Sequence, residues 1–449
     1  MEKKFGIILI MTIMVFAVLS LNSNSSTHVY SGYSKADSIK TSIDSMKRTD
    51  LDVVTEEISK DKVITHTAAM SIAVSDGAGY DGMKTSDFEY RKEKSAEPDV
   101  TILPDEKRST VEAGRMTAGE WSDIENWSFW TSLFEKDQFR ESLKSWDIQA
   151  GSIKKVTVLL SDGKPAKGAV LKGYSNTDEV VFSVPVDANG DVAFVSDAWK
   201  FDQEQSVSKL RIQVDRSEYE PVFSKNKSET VLRIPIPSSL NQNLEIGFIV
   251  DATGSMSDEM EFLKAELDDV INKVHSYDES INIRTGCVFY KDHGDDYLTH
   301  VSSLSKDIRT THSFITSHYA GGGGDFPEAV ESGLQTGLDK LNWSEGNTVK
   351  LAFLILDAPP HNNPENKERI KHLIRVYASK GIRLIPVTAS GIDKQTEFLM
   401  RQIAILTGGT YVFITDHSGI GNSHLETSIG KYKVEFLNEL MARVIKKYI

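Results

Sequence analysis

The feature that most constrains this chain is the alternation of long apolar runs with helix-patterned segments from Leu244 onward. "LEIGFIVD" and "VKLAFLILD" are almost continuous apolar runs. A strand with one wet face alternates polar and apolar residues. A strand without that alternation is buried on both faces, as in a parallel sheet covered by helices. "INIRTGCVFYKD", "DYLTHVSSL", "IRLIPVTA" and "TYVFIT" read as further strands. Between them, Met260, Leu263, Leu267, Val270 and Val274 recur at helical spacing. Further helices are expected in "SKDIRTTHSFITSHY", capped by Ser305, and in "PEAVESGLQTGLDKL", with Pro327 in its first turn. Others are expected in "NKERIKHLIRVYASKG", ending at Gly381, in "TEFLMRQIAILTGG" and in "VEFLNELMARVIKKYI". The "YKDHGDD" turn is too short for a crossover, so the strands beside it must pair antiparallel. The expectation for residues 244–449 is one α/β domain, a doubly wound and mostly parallel sheet with one antiparallel edge strand.

The region before it has a different texture. Residues 151–240 hold short β-rich runs separated by turn signals such as Asp162-Gly163 and Asn189-Gly190. They predict an all-β sandwich, Ig-like in the broad sense. "DANGD" (Asp187, Asn189, Asp191) opens like a calcium loop, but a strand pattern follows where the later ligands would stand. It reads as a β-turn. Residues 113–150 are Trp-rich, with Trp127, Trp130, Leu133 and Phe134 at helical spacing and Thr117 with Glu120 as a capping box. This aromatic stripe reads as a packing surface, with a ligand platform as the alternative.

The N-terminus, residues 1–20, has a basic start, a chargeless apolar run and small residues at Val18-Leu19-Ser20. That is the form of a cleaved export signal, and an uncleaved membrane anchor is the alternative. The protein is expected to be exported, to the periplasm, cell surface or medium, and to meet a membrane only through this segment. Residues 21–112 are polar and carry no periodicity, and read as leader and linker. The single cysteine, Cys287, lies in an apolar run and reads as a small hydrophobe. With net charge −14, the chain is a poor partner for nucleic-acid phosphates.

In doubly wound sheets, ligands bind beyond the carboxyl ends of the strands. The residues there are oxygen donors. They are Asp251, Thr253 and Ser255 in "DATGSM", Asp292, His293, Asp295 and Asp296 in "YKDHGDDY", Asp325 and Glu328 in "GGGGDFPE", and Asp357 and His361 in "LDAPPHNN". Carboxylates and hydroxyls suit Mg2+, Ca2+ or Mn2+. Asp251 and Asp357 would repel each other without a cation between them. Gly254 lets the chain turn tightly into the next helix. The Tyr290–Asp296 cluster reads as a charged hairpin tip, with a second cation site as the alternative. "SGIGNSH" lacks the lysine of a phosphate loop and reads as structural or as part of the rim.

"DATGSM" resembles the D-x-[ST]-x-S signature of the von Willebrand factor A domain, and the order of elements over Leu244–Ile449 is similar. The resemblance implies a metal-ion-dependent adhesion site built from Asp251, Thr253 and Ser255, with Asp357 of "ILDAPPH" as a further ligand. The family usually has a threonine in its Gly-rich loop. Asp325 stands there instead, and would ligate directly or through water. The whole set of motifs is similar to a bacterial, exported subgroup, and "SDGKPAKGAVL" with "VDANGDVAF" resembles its transthyretin-like β-sandwich modules. The implied function is cation-dependent adhesion or assembly, in which the metal accepts an acidic residue of a protein partner. A second reading is a metal hydrolase using Asp251, Asp357, His361 and the Asp292–Asp295 cluster. Against it, the chain has no H-E-x-x-H motif and no nucleophile elbow, so a non-enzymatic protein is expected. A structural component of an envelope complex is the third reading.

Overall fold

A computed structural model describes residues 111–146, 151–196, 207–214, 216–224, 227–235, 243–277, 281–346 and 348–449. The expected signal and nearly all of the leader lie outside the described residues. In chain order the strands are β1 (Thr117–Trp121), β2 (Ser152–Leu160), β3 (Val170–Tyr174), β4 (Val180–Pro185), β5 (Asp191–Ser196), β6 (Lys209–Val214), β7 (Ser217–Tyr219) and β8 (Glu229–Ile234). They continue as β9 (Asn243–Asp251), β10 (Asn282–Tyr290), β11 (Thr299–Ser305), β12 (Thr348–Leu356), β13 (Ile382–Thr388), β14 (Tyr411–Ile414) and β15 (Val434–Phe436). The helices are α1 (Trp127–Ser132), α2 (Asp137–Trp146), α3 (Met260–His275), α4 (Ile308–Thr316), α5 (Val330–Lys340), α6 (Pro364–Ser379), α7 (Lys394–Thr407) and α8 (Leu437–Lys447).

One eight-stranded sheet, in the order β11-β10-β9-β12-β13-β14-β1-β15, forms the centre. Strands β10, β9, β12, β13 and β14 run parallel. Every residue of β12 is buried, and so is all of β9 after Asn243. This is why their sequences are apolar without alternation. One face of the sheet packs against α3, α4 and α8, through Leu263, Leu267, Ile315, Leu440 and Val444. The other packs against α5, α6 and α7, through Leu334, Ile370, Ile374 and Phe398. The sheet crosses from β9 to β10 on one side and reaches β12 on the other. The switch point therefore lies between the carboxyl ends of β9 and β12.

The expected antiparallel edge strand is present as β11, paired with β10. A second antiparallel strand was not expected. β1, the "TAGEW" stretch, lies between β14 and β15 and is antiparallel to both. The capping box read at Thr117 and Glu120 is therefore not formed, because both residues lie in this strand. Its short pattern is pinned by pairing with β14, which local spacing cannot report. The sheet thus begins at Thr117, and the β-rich region is carried between its first strand and β9.

That region forms two small sheets, β5-β2-β8 and β4-β3-β6-β7. Val156, Val158, Leu171, Phe182, Phe194 and Ile212, drawn from both, share one core, with Phe182 stacked on Phe194 at 4.8 Å. The "DANGD" segment is a turn. Asp187 Oδ1 accepts from the backbone N–H groups of Asn189 and Asp191, and Gly190 takes φ +83°.

Two helix starts differ from expectation. Helix α4 is capped by Asp307, which accepts from the Arg309 N–H, while Ser305 accepts from the N–H of Asp307. Helix α5 begins at Val330, three residues after Pro327. Glu328 N donates to Pro359 O at 2.9 Å, which holds this segment extended and delays the helix.

The aromatic stripe packs onto α7. Trp130 stacks on Phe398 at 5.5 Å, and Phe139 lies 6.1 Å from the same ring. Beside them is a buried ion pair. Arg401 donates from Nε and Nη2 to both oxygens of Asp123, at 2.8 and 2.7 Å, and from Nη1 to Glu397 at 3.0 Å. Both side chains of the Arg401–Asp123 pair are essentially inaccessible. Removing one partner of such a pair strands the other charge. Asp123→Ala is expected to destabilise the chain by about 3–5 kcal/mol, measured by urea unfolding. Trp130→Ala should cost a similar amount, about 3–5 kcal/mol.

Candidate functional site

Asp251 is the last residue of β9, and Asp357 directly follows β12. The parallel register that pairs Val250 with Ile355 sets both at the switch point. A turn from Gly254 to Asp258 joins β9 to α3. A Cβ on Gly254 would meet Gly322 O at 2.8 Å, and Gly254 N donates to that same oxygen at 3.0 Å. The turn and the Gly-rich loop are therefore bonded backbone to backbone.

Asp251 is fully buried, and its Oδ1 accepts from Thr253 N at 2.9 Å and Thr253 Oγ1 at 2.7 Å. Thr253 Oγ1 lies 3.2 Å from Ser255 Oγ. Asp251 Oδ2, Asp357 Oδ1 and Glu328 Oε2 are buried without a hydrogen-bond partner at bonding distance, as is the nearby Tyr290 hydroxyl. Buried polar atoms in folded proteins are nearly always paired, so three unpaired carboxylate oxygens along one rim call for a missing partner.

The electrostatics agree. Burial pushes the Asp251 carboxyl up to about 6, against hydrogen bonds from Thr253 that pull it down. Burial, then the Asp251 charge, push Asp357 up to about 7. Burial, then the charges of Asp251 and Asp292, push Glu328 up to about 8. Desolvation and like charge both disfavour the ionised forms. A hard divalent cation supplies the opposing charge, so the donor set fits one.

Of the five residues expected to ligate, Asp251, Thr253, Ser255 and Asp357 come together. Ser255 and Asp357 line an open cavity of about 420 Å³ with Gly322, Asp325, Glu328 and Gly391. Asp325 is on that wall but exposed. Glu328 is only 3% exposed. The family resemblance pointed to Asp325, which stands where that family usually has a threonine. The bend that turns residue 328 inward is set by its bond to Pro359, which no local signal encodes. Among the described residues no three His, Cys, Asp or Glu side chains are gathered as a ready metal cluster.

The Tyr290–Asp296 cluster is not a simple solvated tip, because Lys291 and Asp292 are buried. The Asp295 carboxylate accepts from Gly323 N at 2.9 Å and from Asp292 N at 3.0 Å, tying this hairpin to the Gly-rich loop. Asp292 is bonded to His361 Nε2 at 2.7 Å, and His293 Nε2 lies 3.3 Å from Glu331. The "SGIGNSH" loop is a strap. Asn422 binds Asp258 through its backbone N at 2.7 Å and its Nδ2 at 2.6 Å. His424 sits between Glu259, 2.8 Å from Nε2, and Asp416, 2.7 Å from Nδ1. Both ring nitrogens lie against carboxylate oxygens, an arrangement that favours the imidazolium. Burial opposes that charge, but the two carboxylates override it and raise the His424 pKa.

These observations can be set beside known proteins. Residues 245–416 match the von Willebrand factor A domain. The match begins in β9 and ends just after β14, so it covers the parallel core of the sheet and every rim residue named above except those of the strap beyond Asp416. A stretch of 127 residues is 29% identical to a protein of Acanthamoeba polyphaga mimivirus named as an ariadne-like RING finger protein, covering 28% of this chain. The chain spans 12% of that relative's length. Two structures of the pilus adhesin SpaC from Lactobacillus rhamnosus GG, one in an open conformation, are 15% and 16% identical. Each covers 26% of this chain, and the match takes in 16% and 15% of those chains, with a TM-score of 0.23 in both cases. Likenesses of that size say nothing about what this chain binds.

The raised carboxyl pKa values have a consequence for stability. The folded, metal-free chain holds protons at Asp251, Asp357 and Glu328 up to about 6, 7 and 8, whereas the unfolded chain has released them by about pH 5. Stability contributed by these groups is complete at low pH and is lost as pH rises toward 8. In chelator, the melting temperature should fall between pH 5 and pH 8, and saturating Mg2+ should flatten that fall. A melting temperature that rises over this window in chelator would contradict the assignment.

Proposed function

We propose that this chain is an exported, non-enzymatic, protein-binding module that engages its partner through a divalent cation, Mg2+ or else Ca2+ or Mn2+. Asp251, Thr253, Ser255 and Asp357 would hold the ion, and Asp325 lines the same open cavity. When bound, the ion supplies a Lewis-acidic coordination site that accepts an acidic side chain of a protein partner. The observation that carries this reading is the pair of orphaned oxygens, Asp251 Oδ2 and Asp357 Oδ1, beside the Thr253 and Ser255 hydroxyls. The von Willebrand factor A domain match over residues 245–416 supports it.

The chain's own residues have separable tasks in this reading. Thr253 fixes the Asp251 carboxylate by two bonds to one oxygen and leaves the other free. Asp295 holds the Gly-rich loop that forms the cavity's far wall. The two small sheets would act as a transthyretin-like spacer. Export rests on the basic, apolar and small-residue pattern of residues 1–20. Among the described residues no helix is long and apolar enough to cross a membrane.

Ligand binding stabilises a native state by RT ln(1 + [L]/Kd), about 2.7 kcal/mol at a hundredfold excess over Kd. Mg2+ or Mn2+ should therefore raise the melting temperature of the wild type, and Asp251→Ala should abolish that rise. Partner capture should fail in chelator and recover with added cation. Capture that persists both in chelator and in Asp251→Ala would sink the reading.

A further inference from the structure

We propose that Glu328, rather than Asp325, supplies the third carboxylate of the cation shell, so that the chain carries a resident acidic ligand at its own adhesion site. This rests on the cation-dependent reading above and specifies how that site is completed.

Two backbone anchors fix the geometry. Gly254 N to Gly322 O ties the start of the Gly-rich loop to the turn carrying Thr253 and Ser255. Glu328 N to Pro359 O, with the bridge between Glu328 and Pro360, ties its end to the segment that follows Asp357. Residues 323–327 bulge between these anchors. Asp325 sits at the outside of the bulge and is exposed. Glu328 sits at its foot, 3% exposed, with Oε2 buried and unpaired. A Cβ on Gly323 would lie 2.8 Å from Glu328 Oε1 and 3.3 Å from Thr253 Cβ. The glutamate carboxylate and the threonine side chain thus flank one glycine, on the wall where Ser255 and Asp357 also stand.

An exposed aspartate keeps its hydration whether or not an ion is present. A buried carboxylate with an unpaired oxygen does not, and a cation relieves it. The glutamate has three side-chain torsions with which to close on an ion. Three carboxylates around a divalent cation leave one negative charge in excess. An acidic residue from a partner then approaches a shell that already carries this negative charge, so the glutamate weakens its capture.

The test is Mn2+ and Mg2+ titration calorimetry on the full chain at neutral pH, with melting curves in chelator. Glu328→Gln keeps the shape and removes the charge. It should weaken Mn2+ binding by about tenfold or more, since even outer-sphere partners of metal ligands are worth 10–100-fold. Asp325→Asn should bind like the wild type. In chelator, Glu328→Gln should melt at or above the wild type, because a neutral amide replaces a buried acid that has an unpaired oxygen. That result also shows that the variant folds. Wild-type affinity in Glu328→Gln together with weak binding in Asp325→Asn would overturn the proposal while leaving the cation reading intact. A wild type that binds neither ion would overturn both.

Discussion

Strands β9 and β12 lie side by side, parallel, from Asn243 and Thr348 to Val250 and Ile355, and the rest of the molecule depends on that pairing. Both are buried on both faces, with Phe248 and Phe353 stacked at 5.8 Å across the seam. Burial fixes the register, because a slip would carry apolar side chains out of two packed layers at once. The same register delivers Asp251 and Asp357 to one point, where sequential oxygens from Thr253 and Ser255 meet them. The hydrophobic requirement of the seam thus sets an electrostatic problem at its end. Two carboxylates lie in a desolvated place without enough protein donors to satisfy them. The fold tolerates the arrangement because the seam is stable, and the site exists because the arrangement is unsatisfied.

The loops around that point are held by polar clips rather than by packing. Asp295 reaches from the β10–β11 hairpin to Gly323, Gly254 bonds to Gly322, and Glu328 bonds to Pro359. Glu259, at the start of α3, is fully buried, is clasped by His424 and accepts from Ser390 N at 3.3 Å. The strap that ends near His424 therefore reaches, through one carboxylate, the loop whose Gly391 lines the cavity. Apolar cores resist deformation, whereas hydrogen-bonded loops have alternatives in water. Rim geometry in this chain is accordingly set by a few identifiable bonds.

The β-rich region is not a bead placed before the sheet. It is carried between β1 and β9, and it touches the sheet domain through Ala378 in its core, through Arg383 on Pro185 O, and through Ala188 N on Lys447 O. Arg383 is buried, and its cation rests on the Tyr448 ring at 4.3 Å. Such a cation–π contact suits guanidinium, which is weakly hydrated. With the Asp123–Arg401 pair at the Trp-rich segment, these contacts tie that segment and the β-rich region to the sheet domain.

By itself the sequence determined the doubly wound class, because strands buried on both faces cannot hide their lack of alternation. It also determined the members of the rim, because strand ends in such sheets are where loops carry polar residues, and Asp251, Thr253, Ser255 and Asp357 stand at those ends. The "DANGD" turn was legible for a similar reason, since Asn-Gly chemistry acts over four residues. What only tertiary structure decided depends on partners far away in the chain. Thr117–Trp121 is a strand because β14 and β15 flank it. Helix α5 starts late because Pro359 holds Glu328. The inward-facing acid of the Gly-rich loop is Glu328 and not Asp325, because a loop's direction follows from where its two ends are anchored. Periodicity records what a residue's immediate neighbours require of it, and it carries no record of a hydrogen bond made across thirty positions.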